Sequence, residues 1–270
     1  MENNETGFEP GNESTSVSTV KKVPRENTLT VSKSNMIIRA NYRLTLVEQR
    51  ILLACIAKIN PFEPVPEVIT LTADEYAAIY KTTKGKAVYR ALKNASLVLP
   101  DRVLTIVDEH GEQEVIPWLK NTSEAGIEPV EAVYPLWEGR IYLRFSEGVK
   151  PFLSGMSKNF TQYELEKVAG LKSTHSLRLY ELLISWRKTK KLLISLEDFK
   201  VRLGIDGKYP AFSDIKQEVI EPAVKELGKE SALSVKWTAK RRGRAVVGIE
   251  FKFRERSKRG SKLRRLPNKM

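Results

Sequence analysis

Four cations stand close together near the end of the chain, in the segment AKRRGR of residues 239–244. They are Lys240, Arg241, Arg242 and Arg244, and no carboxylate lies among them. Because like charges in one place repel each other, such a group is stabilised when a polyanion neutralises it. Basic turns at protein surfaces can also serve solubility alone. The neighbouring segments are therefore needed to distinguish a solubilising turn from one that binds a polyanion.

A second group of polar side chains lies in the segment KYPAFSDIKQEVIEPAVKELG of residues 208–228. Its apolar residues recur with the period of a helix that buries one stripe. We predict that this helix begins after Pro210, kinks at Pro222 and ends at Gly228. Its start carries the side chains that could contact bases and phosphates, which are Lys208, Tyr209, Ser213, Lys216 and Gln217. With the basic segment following it, we interpret this as a DNA-recognition helix rather than an ordinary amphipathic helix.

Signals for catalysis are poor. The sequence has no G-x-x-x-x-G-K-[ST] phosphate loop, and its two histidines, His110 and His175, are far apart without cysteine partners. We therefore expect no catalytic residue, no metal and no cofactor, with a metal-dependent nuclease as an unlikely alternative class. The single cysteine, Cys55, stands in the apolar run ILLACI and is predicted to be buried and unreactive.

Overall charge points to an anionic partner. The 270 residues carry a formal net charge of +13, with a pI near 9.6. Nucleic acid is favoured over a membrane, because no apolar run approaches the ~20 residues that span a bilayer. The first residues, MENNETGFEP, have no apolar signal segment, and we expect a cytoplasmic protein.

The middle of the chain has the elements of a small helix-and-hairpin domain. We predict a helix from Leu44 to Ile59 that a Thr45–Glu48 capping box begins, a strand at 68–71 and a second capped helix at 73–80. A helix at 87–97, strands at 102–107 and 114–119, and a strand at 140–145 follow. The helix at 87–97 and the turn before it bear a basic face, made of Lys84, Lys86, Arg90 and Lys93. Tyr76, Tyr80 and Phe199 are predicted to be core residues.

The same order of elements recurs in the rest of the chain. Short helices at 147–156 and 160–168 lead to a longer helix at 173–187, a strand at 192–194, a capped helix from Ser195 and the 208–228 helix. A hairpin of strands at 232–237 and 245–253 ends the pattern. The fold class predicted from this repeat is α+β, with two tandem winged-helix domains. We place a disordered tail at 1–30, the domains at 31–150 and 151–255, and a basic tail at 256–270.

Several segments resemble the iteron-binding plasmid replication initiators. The resemblance covers residues 31–255 and is most specific in FTQYE (160–164) and RLYEL (178–182). It implies a non-enzymatic protein whose second domain makes the main contacts with bases. The first domain would contact DNA in monomers and contribute to a dimer interface. Two departures from the family pattern are the acidic stretch 121–139 and the pair Gln217–Glu218 on the recognition helix.

The resemblance also implies a set of partners. Monomers would bind origin iterons in double-stranded DNA and act with the host initiator and the replicative helicase, while homodimers would bind an operator. We expect the hairpin at 102–119 to supply a strand edge for the dimer, with Thr105 facing outward on it. A transcriptional regulator of the same architecture is the alternative.

Overall fold

The computed structural model describes residues 28–83, 85–107, 110–120, 139–156 and 158–256. Lys84, the acidic stretch from 121 to 138 and nearly all of the two predicted tails lie outside the described residues. Among the helices that are described, none is long and apolar enough to cross a bilayer.

The described part of the first half contains four helices and five strands. In order they are β1 (Thr30–Ser34), α1 (Asn35–Arg39), α2 (Leu46–Ile56), β2 (Ile69–Thr72), α3 (Ala73–Tyr80), α4 (Lys86–Val98), β3 (Val103–Val107), β4 (Gln113–Pro117) and β5 (Arg140–Leu143). Single 3₁₀ turns lie at Leu99–Asp101 and Lys150–Phe152.

The second half has the element order of a winged helix. It comprises β6 (Phe160–Glu164), α5 (Glu166–Ala169), α6 (Thr174–Ile184), β7 (Lys191–Ser195), α7 (Leu196–Leu203), α8 (Phe212–Ile215), α9 (Glu221–Glu230), β8 (Leu233–Arg242) and β9 (Ala245–Glu255). A π-helical segment, Lys216–Ile220, joins α8 to α9, and we call residues 212–230 together the long C-terminal helix.

The predicted helix starts are confirmed in the first half. Thr45 accepts a hydrogen bond from the Glu48 backbone N–H, and the Glu48 carboxylate accepts one from the Thr45 N–H. Thr72 and Glu75 form the same reciprocal pair at α3. Each pair satisfies two of the backbone donors that a helix start leaves without an intrahelical partner.

The long C-terminal helix differs from its prediction at Gly228 and continues past Pro222 as predicted, while the kink predicted there stays a prediction. Gly228 lies inside α9, which continues to Glu230, so the predicted end was wrong. Leu227 is fully buried, and this packing outweighs the modest helix penalty of a glycine. Pro222 follows the π-helical segment, where the Glu221 N–H bonds to the Lys216 carbonyl five residues earlier. The wider turn accommodates a proline that has no N–H to give.

Strand pairing separates the two halves of the predicted repeat. In the second half β9 lies between β7 and β8 in a three-stranded sheet, whereas in the first half β2 pairs with β5 and β3 pairs only with β4. The β3–β4 hairpin is therefore not the counterpart of the β8–β9 hairpin that the repeat suggested. Because β5 pairs with β2 as β9 pairs with β7, β5 occupies the place that β9 has in the second half.

One predicted helix is a strand. Residues 160–164 form β6, whose Thr161 and Tyr163 are buried, and it pairs antiparallel with β1 along its full length. The alternation of buried and half-buried side chains fits a strand, and the partner lies over a hundred residues earlier. The pairing of β1 with β6 therefore crosses the domain boundary that we predicted between residues 150 and 151. The boundary itself stays a prediction. We keep "first unit" for 31–150 and "second unit" for 151–255.

The apolar side chains of both units form one continuous core. Cys55 is fully buried, and burial raises the pKa of its thiol to about 12, which confirms the prediction of an unreactive core residue. Tyr76, Tyr80 and Phe199 are buried as predicted. Helix α6 packs against α1 on one side and against α7 and α9 on the other, so it contacts elements of both units.

Candidate nucleic-acid interface

The start of the long C-terminal helix presents its polar residues to solvent. Four of the five side chains predicted to contact DNA there are exposed, namely Lys208, Ser213, Lys216 and Gln217. The fifth, Tyr209, is half-buried and packs against the core. The predicted recognition face therefore exists as a surface, with Tyr209 acting at least in part as its support.

Lys216 already has a partner within the helix. Its Nζ lies 3.5 Å from a carboxylate oxygen of Glu221, five residues later. The π-helical segment brings residues five apart to one side, which an α-helix would not do as well. Both side chains are about half exposed, so the ion pair contributes little and a nucleic acid can compete for Lys216. Gln217 makes no side-chain hydrogen bond with any other residue in the described ranges.

Aromatic packing holds this helix start in place. The Phe212 ring meets the Trp237 ring of β8 edge-on, with centroids 6.3 Å apart. Ile215 and Val219, one turn further along, are fully buried. The helix start therefore packs directly on strand β8, which carries the basic segment.

The basic segment is mostly strand rather than turn. Strand β8 continues to Arg242, and only Gly243 and Arg244 separate it from β9. Gly243 has φ +61°, a backbone conformation that suits glycine at a tight hairpin turn. Arg241, Arg242 and Arg244 are exposed at the tip, where the Arg241 guanidinium donates to the Arg244 carbonyl at 2.9 Å.

Lys240 differs from these three arginines. Its Nζ lies 2.7 Å from Glu250, and Lys191 Nζ lies 2.6 Å from the other oxygen of that carboxylate. Hydrogen bonds from Lys191 and then Lys240 lower the pKa of Glu250 to about 2. Glu250 on the neighbouring strand thus supplies a carboxylate that is absent from the sequence next to Lys240. Of the four cations in the segment, Lys240 is therefore the least available to bind phosphate.

In the first unit, α4 bears a matching basic face. Lys86, Arg90 and Lys93 are exposed and form no ion pair among the described residues, while Lys84 lies outside them. They stand at the helical spacing of one stripe, which Leu97 extends as an exposed apolar side chain. Sequence reasoning missed Leu97, because an apolar residue in an amphipathic helix is normally assigned to the core.

A buried ionic cluster joins the two units. Glu181 of α6 is fully buried, and its Oε1 lies 2.5 Å from Lys33 Nζ of β1, itself 2% exposed. The same oxygen accepts a hydrogen bond from the Tyr163 hydroxyl at 2.5 Å. Burial, and to a smaller extent the negative charge of Glu181, raise the pKa of Tyr163 well above its usual value. This phenol therefore keeps its proton and donates it to the hydrogen bond.

Arg178, one turn before Glu181, binds both units at once. Its Nη2 donates to the Ala40 carbonyl at 2.8 Å in the first unit and to the Arg202 carbonyl at 2.5 Å in the second. Its Nη1 donates to the Tyr42 hydroxyl. Arg178 is 2% exposed, so this guanidinium is removed from water and held by directed hydrogen bonds.

Arg43 ties the two units at their surface, whereas the half-buried Arg187 binds within the second unit. Arg43 donates to the carbonyl and the carboxylate of Asp206, at 2.8 and 3.0 Å. Arg187 lies 2.6 Å from Glu255 and donates to the Gln162 carbonyl at 3.1 Å. These contacts were not predicted, because nothing local in the sequence pairs residues so far apart.

No group of His, Cys, Asp or Glu among the described residues is arranged to hold a metal ion. What the described chain does offer is a basic face on α4, an exposed polar face at the start of the long C-terminal helix and a basic hairpin tip, all on one core. Fold and surface together define a DNA-binding protein built from two winged helices.

The chain belongs to the family of initiator replication proteins. The family model described as "Initiator Replication protein, WH1" matches residues 30–184, and "Initiator Rep protein, WH2" matches residues 195–253. The predicted resemblance and the prediction of two winged-helix domains in an α+β fold are confirmed. Membership makes the chain a DNA-binding initiator-type protein rather than an enzyme.

Individual relatives agree with the family. The chain is 30% identical over 233 residues to a "Replication initiation protein" of Escherichia coli, covering 83% of this chain and 69% of the relative. It is 26% identical over 238 residues to the Escherichia coli "PI protein", covering 78% of each. The crystal structure of the Pi initiator protein in complex with iteron DNA superposes with a TM-score of 0.67 at 23% identity, covering 84% of this chain and 97% of that one. That likeness is one of fold.

The availability of the tip arginines leads to a test by salt dependence. Replacing Arg241 and Arg242 with Ala should weaken binding to every duplex, because both side chains are placed for phosphate contact. The slope of log K against log salt should fall by about 2, since each lost phosphate contact removes about 0.9. Fluorescence anisotropy on random-sequence duplex over a range of salt concentrations measures this slope.

The control variant replaces Lys229 and Lys252 with Ala, which removes the same charge from exposed positions away from the tip. Its slope should stay within about 0.5 of that of the unmodified protein. An unchanged slope in the Arg241/Arg242 variant, or equal losses in both variants, would show that the hairpin tip does not sit on the DNA backbone.

Proposed function

We propose that this protein is a plasmid replication initiator that binds repeated duplex sites, the iterons of an origin, through both winged helices. The observation that carries the proposal is the exposed basic face of α4 together with the exposed polar start of the long C-terminal helix beside its basic hairpin tip, on two units joined through one buried cluster. Two such faces on a single chain fit two successive stretches of one duplex. Family membership and the iteron complex of the Pi initiator support the same function.

The two units have different tasks in this proposal. The second unit reads sequence, because Lys216 and Gln217 are adjacent, exposed and able to pair with guanine and adenine edges. Arg241, Arg242, Arg244 and the less available Lys240 follow the phosphates beside it, with Lys208, Tyr209 and Ser213 at the helix start. The first unit, through Lys84, Lys86, Arg90 and Lys93, positions the protein on the backbone and contributes little to sequence choice.

The cellular role that we propose is supported by membership of the family. Bound to iterons as a monomer in the cytoplasm, the protein helps to open the origin and to load the helicase with the host initiator. As a dimer it represses its own promoter, which contributes to copy control. A transcriptional regulator of the same architecture is the alternative, and it would bind without opening DNA. Permanganate reactivity of thymines in an adjacent A·T-rich segment of a supercoiled origin plasmid separates the two.

The dimer surface in this proposal is the outer face of the β3–β4 hairpin. Val103, Val107 and Val115 on this face are 44, 53 and 60% exposed. A flat apolar sheet face of this kind is stabilised when a second copy covers it.

The strand edge that the sequence led us to expect at the dimer interface is that of β3 at Thr105, and this edge is already occupied. Thr105 is half-buried, and both of its backbone groups bond to Asn41, with N–O distances of 2.8 and 3.0 Å. Because Val115 lies opposite Thr105 in the register, the backbone groups of Val115 point away from β3 as well. Within the described residues they have no partner. The edge open to a second copy is therefore that of β4.

Base reading by the second unit is tested with the double replacement of Lys216 and Gln217 by Ala. Affinity for a site selected from a random duplex pool by the unmodified protein should fall by 10-fold or more, at about 1–3 kcal/mol for each lost base contact. Affinity for random duplex should change by less than about threefold. Replacing Lys229 with Ala, an exposed cation near the other end of the same helix, is the control. Equal losses on both duplexes would contradict sequence reading by these residues.

The dimer surface is tested with Val115→Asp. A charge on the apolar face should raise the dimer dissociation constant at least tenfold, because two copies would bring like charges together. Sedimentation velocity measures the constant, and iteron binding should rise as promoter binding falls. Leu193→Asp is the matched control, since Leu193 is 63% exposed on β7 of the other unit. The surface is wrongly placed if Val115→Asp remains as dimeric as the control.

A further inference from the structure

The buried charges around Arg178 and Glu181 carry a large desolvation cost, so a contribution to the free energy of folding does not by itself account for the cluster. Removing charges from water costs several kcal/mol per ion, and well-packed apolar residues of similar volume often stabilise as much or more. Glu181 is also incompletely satisfied, since its Oε2 lies 3.9 Å from Arg178 Nη1 and has no hydrogen-bond partner among the described residues. A feature other than stability therefore distinguishes this cluster from an apolar junction.

That feature is the directionality of the hydrogen bonds that Arg178 makes. A guanidinium donates in one plane at fixed angles, whereas apolar contacts tolerate sliding and rotation. Arg178 reaches the Ala40 carbonyl at the end of α1 and the Arg202 carbonyl near the end of α7, so one planar group bridges a helix end of each unit. Its guanidinium also lies over the Tyr42 ring, 3.7 Å from the centroid. A small rotation of one unit against the other would break at least one of these contacts.

We propose that Arg178 is a positioning residue that determines spacing specificity. By holding the two units at one angle, it sets the separation of α4 from the long C-terminal helix, and so the number of base pairs between the duplex segments that they contact. Insertion of one base pair moves one segment by ~3.4 Å along the duplex and by ~34° around it. A junction fixed by directed hydrogen bonds resists that displacement. The inference rests on the proposed binding of one duplex by both units.

The experiment begins with duplexes selected from a random pool by the unmodified protein. Footprinting locates the two protected segments, and one base pair is then inserted or deleted between them. The unmodified protein should bind the selected spacing at least tenfold more tightly than either altered duplex. Arg178→Lys keeps a positive charge beside Glu181 but cannot reach both carbonyls as a planar fork. We expect its preference to fall below threefold, with affinity for the selected spacing also reduced.

A loss of stability by itself should not change the preference. Leu71→Ala, at a fully buried residue of β2 that is not part of the cluster, provides a destabilised control, and its preference should remain at least tenfold. If Arg178→Lys does not melt cooperatively, Tyr42→Phe takes its place, since it removes one acceptor of Arg178 and keeps the ring. A preference below threefold in either variant supports the inference.

Two results would overturn it in distinguishable ways. A folded Arg178→Lys protein, or Tyr42→Phe in its place, that keeps the tenfold preference shows that the cluster does not set spacing, while binding by both units stands. An unmodified protein that tolerates every spacing overturns the two-unit mode of binding, and the inference with it.

Discussion

The contact on which the rest of this structure depends is the bridge from the Arg178 guanidinium to the backbone carbonyls of Ala40 and Arg202. Helix α6 belongs by topology to the second winged helix, yet it packs on α1 and carries the partners of Lys33 and Tyr163. Because the bridge is buried and directional, it couples two units whose cores are already continuous. The basic face of α4 and the polar start of the long C-terminal helix therefore belong to one packed body.

The cations of this protein divide into those that hold structure and those that are available. Lys33 and Arg178 are buried in the junction, while Lys240 and Lys191 share Glu250 on the sheet of the second unit. Arg90, Arg242 and Arg244 have no such carboxylate partner among the described residues, whereas Lys216 is paired with Glu221. A net charge of +13 thus overstates the cations that can meet phosphate, and their positions follow from which of them the fold leaves unpaired.

What the sequence predicts well is local. The Thr45 and Thr72 capping boxes depend on residues three apart, so both helix starts follow from the sequence alone. Pairing of β1 with β6, and of Lys240 with Glu250, joins residues that no local pattern connects. This separation along the sequence explains why the exposed residues of the candidate recognition face could be predicted from helical period and charge. The junction between the units could not be predicted, because its residues lie far apart in the sequence. Tertiary packing, not propensity, also carried α9 past Gly228.

The central claim is that one chain contacts two successive turns of one duplex from the same side. Ethylation interference tests it most directly, because an ethyl group on a phosphate blocks the backbone contacts that both units are proposed to make. On a selected site bound by the monomer, two clusters of interference should appear, centred ~10 base pairs apart on one face of the duplex. A single cluster, or two clusters separated by half a turn and so on opposite faces, would contradict the account.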